Sequence, residues 1–482
     1  MTDSYASSPA DHGTWSQLLG REHRSGMTVL AGGVALYATN AFLTTSLLPS
    51  AIDDIGGQEL YAWATTVFLL GSVVTSVLVS RILGTAGPKT AYLVALAAFT
   101  TGSAMCALTP SMYVLLAGRV IQGLGGGLLA GLGYALIRSS LPATLWARGT
   151  ALISAMWGVG TFLGPTLGGA MAEYTHWRIA FLLLIVASLC VAAIVPRALT
   201  APTEPAPREQ FPVLSLLLVV AAALSVSVAS ILDSQTATIA GVTVGLTLLV
   251  LFYLHERRSD ASVLPAVTFT PGSPLRWIYL TIAVLAIAST TETFVPLFGQ
   301  RLGGLAPLAA GFLGAAIAAG WTLGELPSAS ASRPRTTRLI VLASPIVIAA
   351  GLAGTALLQA DSATGTRVLL WALTLAVAGA GIGIAWPHLA SGAMHSVSDP
   401  NEGDKASAAI NIVQLVANAL GAALTGVLVN AADTPLAQAH YLYGGFAVLT
   451  LLVGGTAATL SQRRRTTTPD PQLDEPSLAE PR

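Results

Sequence analysis

Charge is what this sequence has least of. Asp, Glu, Lys and Arg make up 10% of its 482 residues, and the two signs balance at 23 each. An ordinary soluble chain carries about a quarter charged residues, so a soluble globular protein is excluded. With no net charge there is no electrostatic case for binding nucleic acid. Cysteine is nearly absent. Cys106 and Cys190 lie in separate apolar runs and are expected to be free packing residues, silent about redox compartment. No His-Glu-x-x-His, no pair of deep aspartates and no Walker lysine motif occurs. Zinc hydrolysis and ATP-driven transport lack their residues, so no metal or cofactor is expected and an intramembrane enzyme is disfavoured. The longest linkers are also too short to hold a soluble sensor domain.

What the sequence has instead is long apolar runs: 53% of it is hydrophobic. Crossing ~30 Å of hydrocarbon takes about 20 apolar residues. Fourteen runs qualify, at roughly 27–50, 61–82, 90–108, 111–137, 150–172, 178–195, 211–232, 238–255, 276–299, 306–327, 339–359, 366–388, 406–430 and 439–460. If they alternate from a cytoplasmic N-terminus, nineteen Lys and Arg residues fall inside. Only Arg178, Arg301 and Arg367 fall outside, and Arg119 lies within a span. That asymmetry predicts a multi-pass cell-membrane protein with both termini cytoplasmic. The first span is long and lacks a small-residue cleavage site, so it is expected to be retained.

The expected organisation is a cytoplasmic tail over 1–26 and a six-helix bundle over 27–196. Linkers and an extra helix pair fill 197–274, with a turn near Asp233. A second six-helix bundle spans 275–460, and a polar, disordered tail 461–482 opens on Arg463-Arg464-Arg465. The fold class is an all-α membrane protein of two six-helix bundles plus two linking helices. The halves look weakly repeated: Thr39-Asn40-Ala41-Phe42 in the first span matches Thr291-Glu292-Thr293-Phe294 in the ninth. Parallel halves of this kind place a substrate site between them at mid-membrane.

Residues 158–169 read GVGTFLGPTLGG. Gly160, Gly164 and Gly168 recur every four residues and share one helix face. Pro165 and Gly169 complete the motif. A spanning helix tolerates such residues when a neighbour packs closely on the smooth face. The pattern resembles the fifth-helix motif of proton-coupled exporters in the major facilitator superfamily.

Ionisable residues deep in a membrane are functional suspects. Arg119 and Glu292 both lie about eight residues from the outer ends of their helices, ~12 Å deep. Glu292 is the first candidate to carry a proton. A carboxyl in a poorly hydrated cavity can exchange its proton for a cationic or polar substrate. The alternative is a carboxylate satisfied by Ser289, Thr290 or Arg119. Arg119 heads Arg119-Val-Ile-Gln122-Gly123, which resembles the superfamily's fourth-helix motif and implies a role in proton coupling. The alternative is an arginine held by Gln122 and backbone carbonyls. Asn411, Gln414, Asn418 and Thr425 share one face of the thirteenth span, either lining a cavity or gluing helices by hydrogen bonds. Asn40, Gln122, Trp321, Asn411, Gln414 and Asn418 are the candidate cavity residues. Trp321 and Trp386 can stack on a flat ligand, and His388 lies near the inner face. Glu325 is expected to pair with a loop arginine as a conformational latch, with Arg81 in the corresponding loop of the first half.

Further segments are similar to the fourteen-helix drug:proton antiporter branch: Leu48-Pro49, Tyr61-Ala62-Trp63, Trp177-Arg178 with Phe181, and His255-Glu256-Arg257-Arg258. The similarity departs at Ser80-Arg81, where that family has an Asp-Arg pair, and at Asn40, where the branch often has an aspartate. A weakened charge latch and a proton burden shifted to Glu292 follow from those departures. The resemblance implies proton-gradient-driven export of amphipathic small molecules by alternating access, from a chain expected to be monomeric. Export or flipping of a lipid-like or endogenous metabolite by the same fold is the alternative, and a non-transporting sensor or intramembrane enzyme the different-class one.

Overall fold

The computed structural model describes residues 14–199, 212–232, 234–259, 262–397 and 400–465. Half of the expected N-terminal tail, most of the C-terminal tail, much of the first linker and Asp233 lie outside the described residues. Every regular element among the described residues is helical. Thirteen helices are long and apolar enough to cross a membrane, and Val213–Ala229 is a shorter apolar helix. At 17 residues it reaches ~25 Å, so the fourteen expected spans are all present as helices.

In the first bundle these are α1 (Arg24–Ile55), α2 (Tyr61–Val77), α3 (Val79–Ala107), α4 (Met112–Ala135), α5 (Trp146–Tyr174) and α6 (Trp177–Ala198). The extra pair is α7 (Val213–Ala229) and α8 (Gln235–Glu256). The second bundle holds α9 (Leu275–Ser289), α10 (Val295–Arg301), α11 (Pro307–Gly314), α12 (Ala316–Ser328), α13 (Pro334–Leu358), α14 (Gly365–Met394), α15 (Pro400–Asn430), α16 (Pro435–Leu449) and α17 (Gly455–Arg465).

Four departures from the expected spans have local causes. The loop between the second and third spans is a single sharp bend at Gly87, whose φ of 73° suits glycine. The ninth span is interrupted by a 3-10 turn, Thr290–Phe294. Pro296 has no N–H for the Glu292 carbonyl, which takes the Val295 N–H instead. Ser289, Thr290 and Thr291 bend the same stretch by donating to the carbonyls of Ala286, Ile287 and Ala288. The last span contains a π-turn over Thr450–Gly454 and stays helical through Arg465, beyond the expected stop. Part of the expected N-terminal tail is also structured: Trp15–Leu18 forms one helical turn capped by Thr14, and Leu18 is buried in the core.

The weak sequence repeat has a counterpart in packing. In the first bundle α1 packs on α4 and α6, α3 on α4 and α6, and α2 on α4. In the second, α9 packs on α14 and α17, α13 on α14 and α16, and α12 on α14. Close approach rests on small residues in both. A methyl carbon on Gly102 of α3 would collide with the α4 backbone at Gln122 and Gly118, and one on Gly379 of α14 would collide with Ile317 of α12.

Candidate functional site

The glycine face of α5 turns toward α1 as its spacing predicts. A Cβ on Gly160 would lie 2.5 Å from Ala38 Cβ, and one on Gly168 would lie 2.5 Å from Leu43 O. One on Gly164 would overlap Phe42. Gly169 differs, because a Cβ there would lie 2.6 Å from Leu308 Cα of α11, in the other bundle. A single motif therefore binds α5 within its own half and against the opposite half.

On one side of the molecule α2 packs along α15; on the α5 side, contact between the bundles concentrates at the end remote from the chain termini. Glu173 at the end of α5 accepts the Leu308 N–H at the start of α11 at 3.1 Å. Arg301 faces Asp53 at 4.0 Å. Asn430 donates to Glu59 O at 2.9 Å and Ser230 O at 3.0 Å, tying both bundles to the extra pair. Tyr61 packs on Phe294 with centroids 4.5 Å apart. Gly311 of α11 abuts Ser46 and Pro165. Farther toward the termini, α5 parts from the second bundle, packing on α11 and not comparably on α12. On the α5 side the crevice between the halves thus closes at one end and opens toward the termini.

The polar stripe on α15 follows that gradient. Asn411 is exposed, Gln414 and Asn418 are half-buried, and Thr425 is fully buried. Thr425 bonds its own helix at Ala422 O, whereas Asn418 Oδ1 is buried without a partner.

Arg119 lies inside the first bundle, 1% exposed. Its Nε donates to Ala64 O at 3.0 Å, one Nη donates to Gln122 Oε1 at 2.6 Å, and the guanidinium lies 4.1 Å from the centre of the Phe68 ring. Gln122 passes the chain on to Ser103 Oγ at 2.8 Å. A buried cation demands such partners. Tyr37 closes the cluster, stacked on Phe68 and edge-on to Trp157. Asn40 is fully buried, and its Nδ2 has no partner.

Glu292 stands apart from this network. It is half-buried on the 3-10 turn between the buried Thr291 and Thr293. Among the described residues no hydrogen bond or ion pair engages its carboxylate. Ser289 and Thr290 give their hydroxyl protons to their own backbone, and Arg119 is spent on Ala64 and Gln122. Arg119 and Glu292 are thus not brought together.

Two expectations about latches are corrected. Among the described residues Glu325 pairs with no loop arginine; its Oε2 accepts the Trp321 Nε1–H at 3.0 Å, one turn away on the same helix. Arg81 is exposed and makes no ion pair among the described residues. Without an aspartate at position 80, it has no adjacent acid to orient it. Trp321 packs on Trp386 of α14, centroids 5.0 Å apart. His388 Nε2 lies 3.0 Å from Ser328 Oγ. Sequence reasoning missed Glu173 and Asp53, whose signal was only their position at the end of a span.

The major facilitator superfamily model matches residues 30–422. The chain belongs to the major facilitator superfamily. A probable multidrug-efflux transporter of Mycobacterium tuberculosis is 49% identical over 465 residues, which is 94% of this chain and 98% of that relative. Among solved structures, a bacterial homologue of the human lysosomal transporter Spinster, in an inward-facing, unoccupied conformation, aligns with TM-score 0.63 at 16% identity. The alignment covers 94% of this chain and all of that one. A D-xylose–proton symporter aligns with TM-score 0.59 at 14% identity, over 91% and 96% of the two chains. The fold is that of two six-helix bundles with two added helices, and the chain is a multi-pass membrane transporter of small molecules.

Proposed function

We propose that this protein exports amphipathic small molecules from the cell, exchanging them for protons by rocking its two bundles about the central crevice. The observation that carries the reading is Glu292: a half-buried, unpaired carboxyl on a broken helix beside the closed end. A carboxyl without a fixed partner can bind and release a proton as its hydration changes with rocking. Arg119 acts indirectly, as a buried cation that fixes the α2–α4 core. Both termini are cytoplasmic in this reading, so the crevice opens to the cytoplasm, where an export substrate is loaded. The strong likeness to a probable multidrug-efflux transporter supports broad substrate choice. No resident cofactor is required, because the proton gradient supplies the energy, and one copy of the chain suffices.

A second reading, export of lipid-like molecules, is favoured by one feature. A shallow lateral apolar crevice lies among α2, α7, α8 and α15, lined by Val77, Val219, Phe252 and Ile412 among others. Apolar walls of this kind favour contact with an acyl chain over contact with a hydrated drug.

The test is the Glu292→Gln variant in proteoliposomes. Substrate-driven proton movement should vanish while substrate binding stays within about twofold. Unchanged coupling removes Glu292 from the mechanism.

A further inference from the structure

The added helix α7 packs on both halves at once, along the line where α2 meets α15. At the closed end Trp63 Nε1 of α2 donates to Ser227 O of α7 at 3.1 Å, and Asn430 of α15 donates to Ser230 O of α7. A Cβ on Gly426 of α15 would lie 3.0 Å from Ala62 Cβ of α2 and 3.1 Å from Ser230 Oγ of α7. Midway, Leu70 of α2, Ala223 of α7 and Ala419 of α15 form a buried apolar cluster of their own. Toward the termini, Val73 and Val77 of α2, Leu216 and Val219 of α7, and Ile412 and Val416 of α15 line one shallow crevice. The three helices thus keep company from the closed end to the last residue of α2.

The α5 side is different. Phe162 of α5 meets Phe312 of α11 with centroids 5.9 Å apart. Nearer the termini, Gly158 has open space where a Cβ would stand, and α5 has parted from α12.

The extra pair is also strapped to the second bundle. Glu256, which ends α8, is 2% exposed. It accepts the Ser215 hydroxyl proton from α7 and the Leu264 N–H from the following linker, the latter at 2.9 Å. A buried carboxylate requires such donors. Lys405 Nζ of α15 donates to Ser262 Oγ of the same linker at 2.9 Å, and Phe269 lies edge-on to Tyr253 of α8 at 5.4 Å. The linker before α9 is therefore a fixed strap joining α7, α8 and α15.

Resting on the transport reading, we propose a role for the extra pair: it moves with the second bundle, and α7 seals the α2–α15 seam in every state, so that the halves part on the α5–α12 side alone. The seam is the hinge. During the cycle the closed end on the α5 side changes from one membrane face to the other, while α2 and α15 stay in contact. Gly426, Ala419 and Ala223 give the seam small surfaces that pivot without unlocking large side chains.

The test uses the full-length protein with Cys106 and Cys190 replaced by alanine. Ala62→Cys with Gly426→Cys places two thiols across the seam, close to disulfide spacing. Ser46→Cys with Gly311→Cys places two across α1 and α11, beside α5, where a Gly311 Cβ would lie 3.0 Å from Ser46 Cβ. Oxidation of the first pair should leave dye efflux from proteoliposomes within about twofold of the reduced protein. Oxidation of the second should abolish efflux, and reductant should restore it. Efflux blocked by both cross-links overturns the seal, and efflux through both overturns the opening beside α5. Spin labels give a second readout that needs no transport. Labels at Ser80 and Asn411 should show one distance with and without tetraphenylphosphonium, whereas labels at Thr150 of α5 and Leu326 of α12 should show two. Two distances across the seam, or one at both sites, overturns the hinge. No efflux from the reduced protein overturns the exporter reading, and the label distances then judge the seam by themselves.

Discussion

Two ionisable residues, Arg119 and Glu292, sit at similar depth in opposite halves, yet the surroundings give them different work. Arg119 donates to Ala64 O and Gln122 Oε1, and its face is covered by Phe68. Replacing it with leucine strands buried acceptors, each costing about 1–3 kcal/mol. Arg119→Leu is therefore expected to lower the unfolding temperature in detergent clearly, whereas Glu292→Gln should leave it within a degree or two. An equal loss in both variants would mean that Glu292 is structural too. Both residues were legible in the sequence as rare charges inside apolar runs. Their partners were only half legible. Gln122, one turn from Arg119, was readable, whereas Ala64 lies on another helix and carries no sequence mark. The expected Glu325–arginine pair failed because Trp321 stands one turn away on the same helix and competes at no cost in chain entropy.

Among the elements, glycine and proline positions decide where helices touch and where they break. The four-residue glycine spacing on α5 was readable and lands on α1. A leucine at Gly164 must displace Phe42, and overpacking of this kind costs about 1–3 kcal/mol. Gly164→Leu should insert normally yet lose most transport, measured as dye efflux from inverted vesicles. Normal efflux would deny the face its packing role. The break in the ninth span was readable in principle, since Pro296 follows Glu292 by four residues. It was expected as one continuous span because hydropathy does not register a missing N–H. The back-bonding of Ser289, Thr290 and Thr291 depends on rotamers that no periodicity reveals. Pro296→Ala restores the donor. It should straighten the turn and reduce proton coupling several-fold, seen as fewer protons moved per substrate.

For the whole molecule, the count of fourteen spans followed from hydropathy and charge asymmetry, because the bilayer imposes span length and sidedness, and the six-two-six division from the two polar linkers that bracket the extra pair. Which end of the crevice is closed did not follow. That depends on contacts such as Glu173 with Leu308 N and Arg301 with Asp53, between residues far apart in sequence. In the proposed rocking cycle these contacts hold the bundles together in one state and break in the other. Loss of Glu173 should shift the population toward the opposite opening. Spin labels on the ends of α5 and α11 should report a longer mean distance in Glu173→Ala than in wild type. An unchanged distance distribution would show that the glycine and aromatic contacts alone hold that end shut.

The account turns on whether substrate and proton move in exchange through Glu292. Proton flux in sealed proteoliposomes with an imposed pH gradient measures this directly, with cationic dyes, antibiotics and lipids added in turn. Collapse of the gradient on addition of an amphipathic cation, absent in Glu292→Gln, is the expected result. Transport of any of these compounds with no accompanying proton movement in the wild type would contradict it.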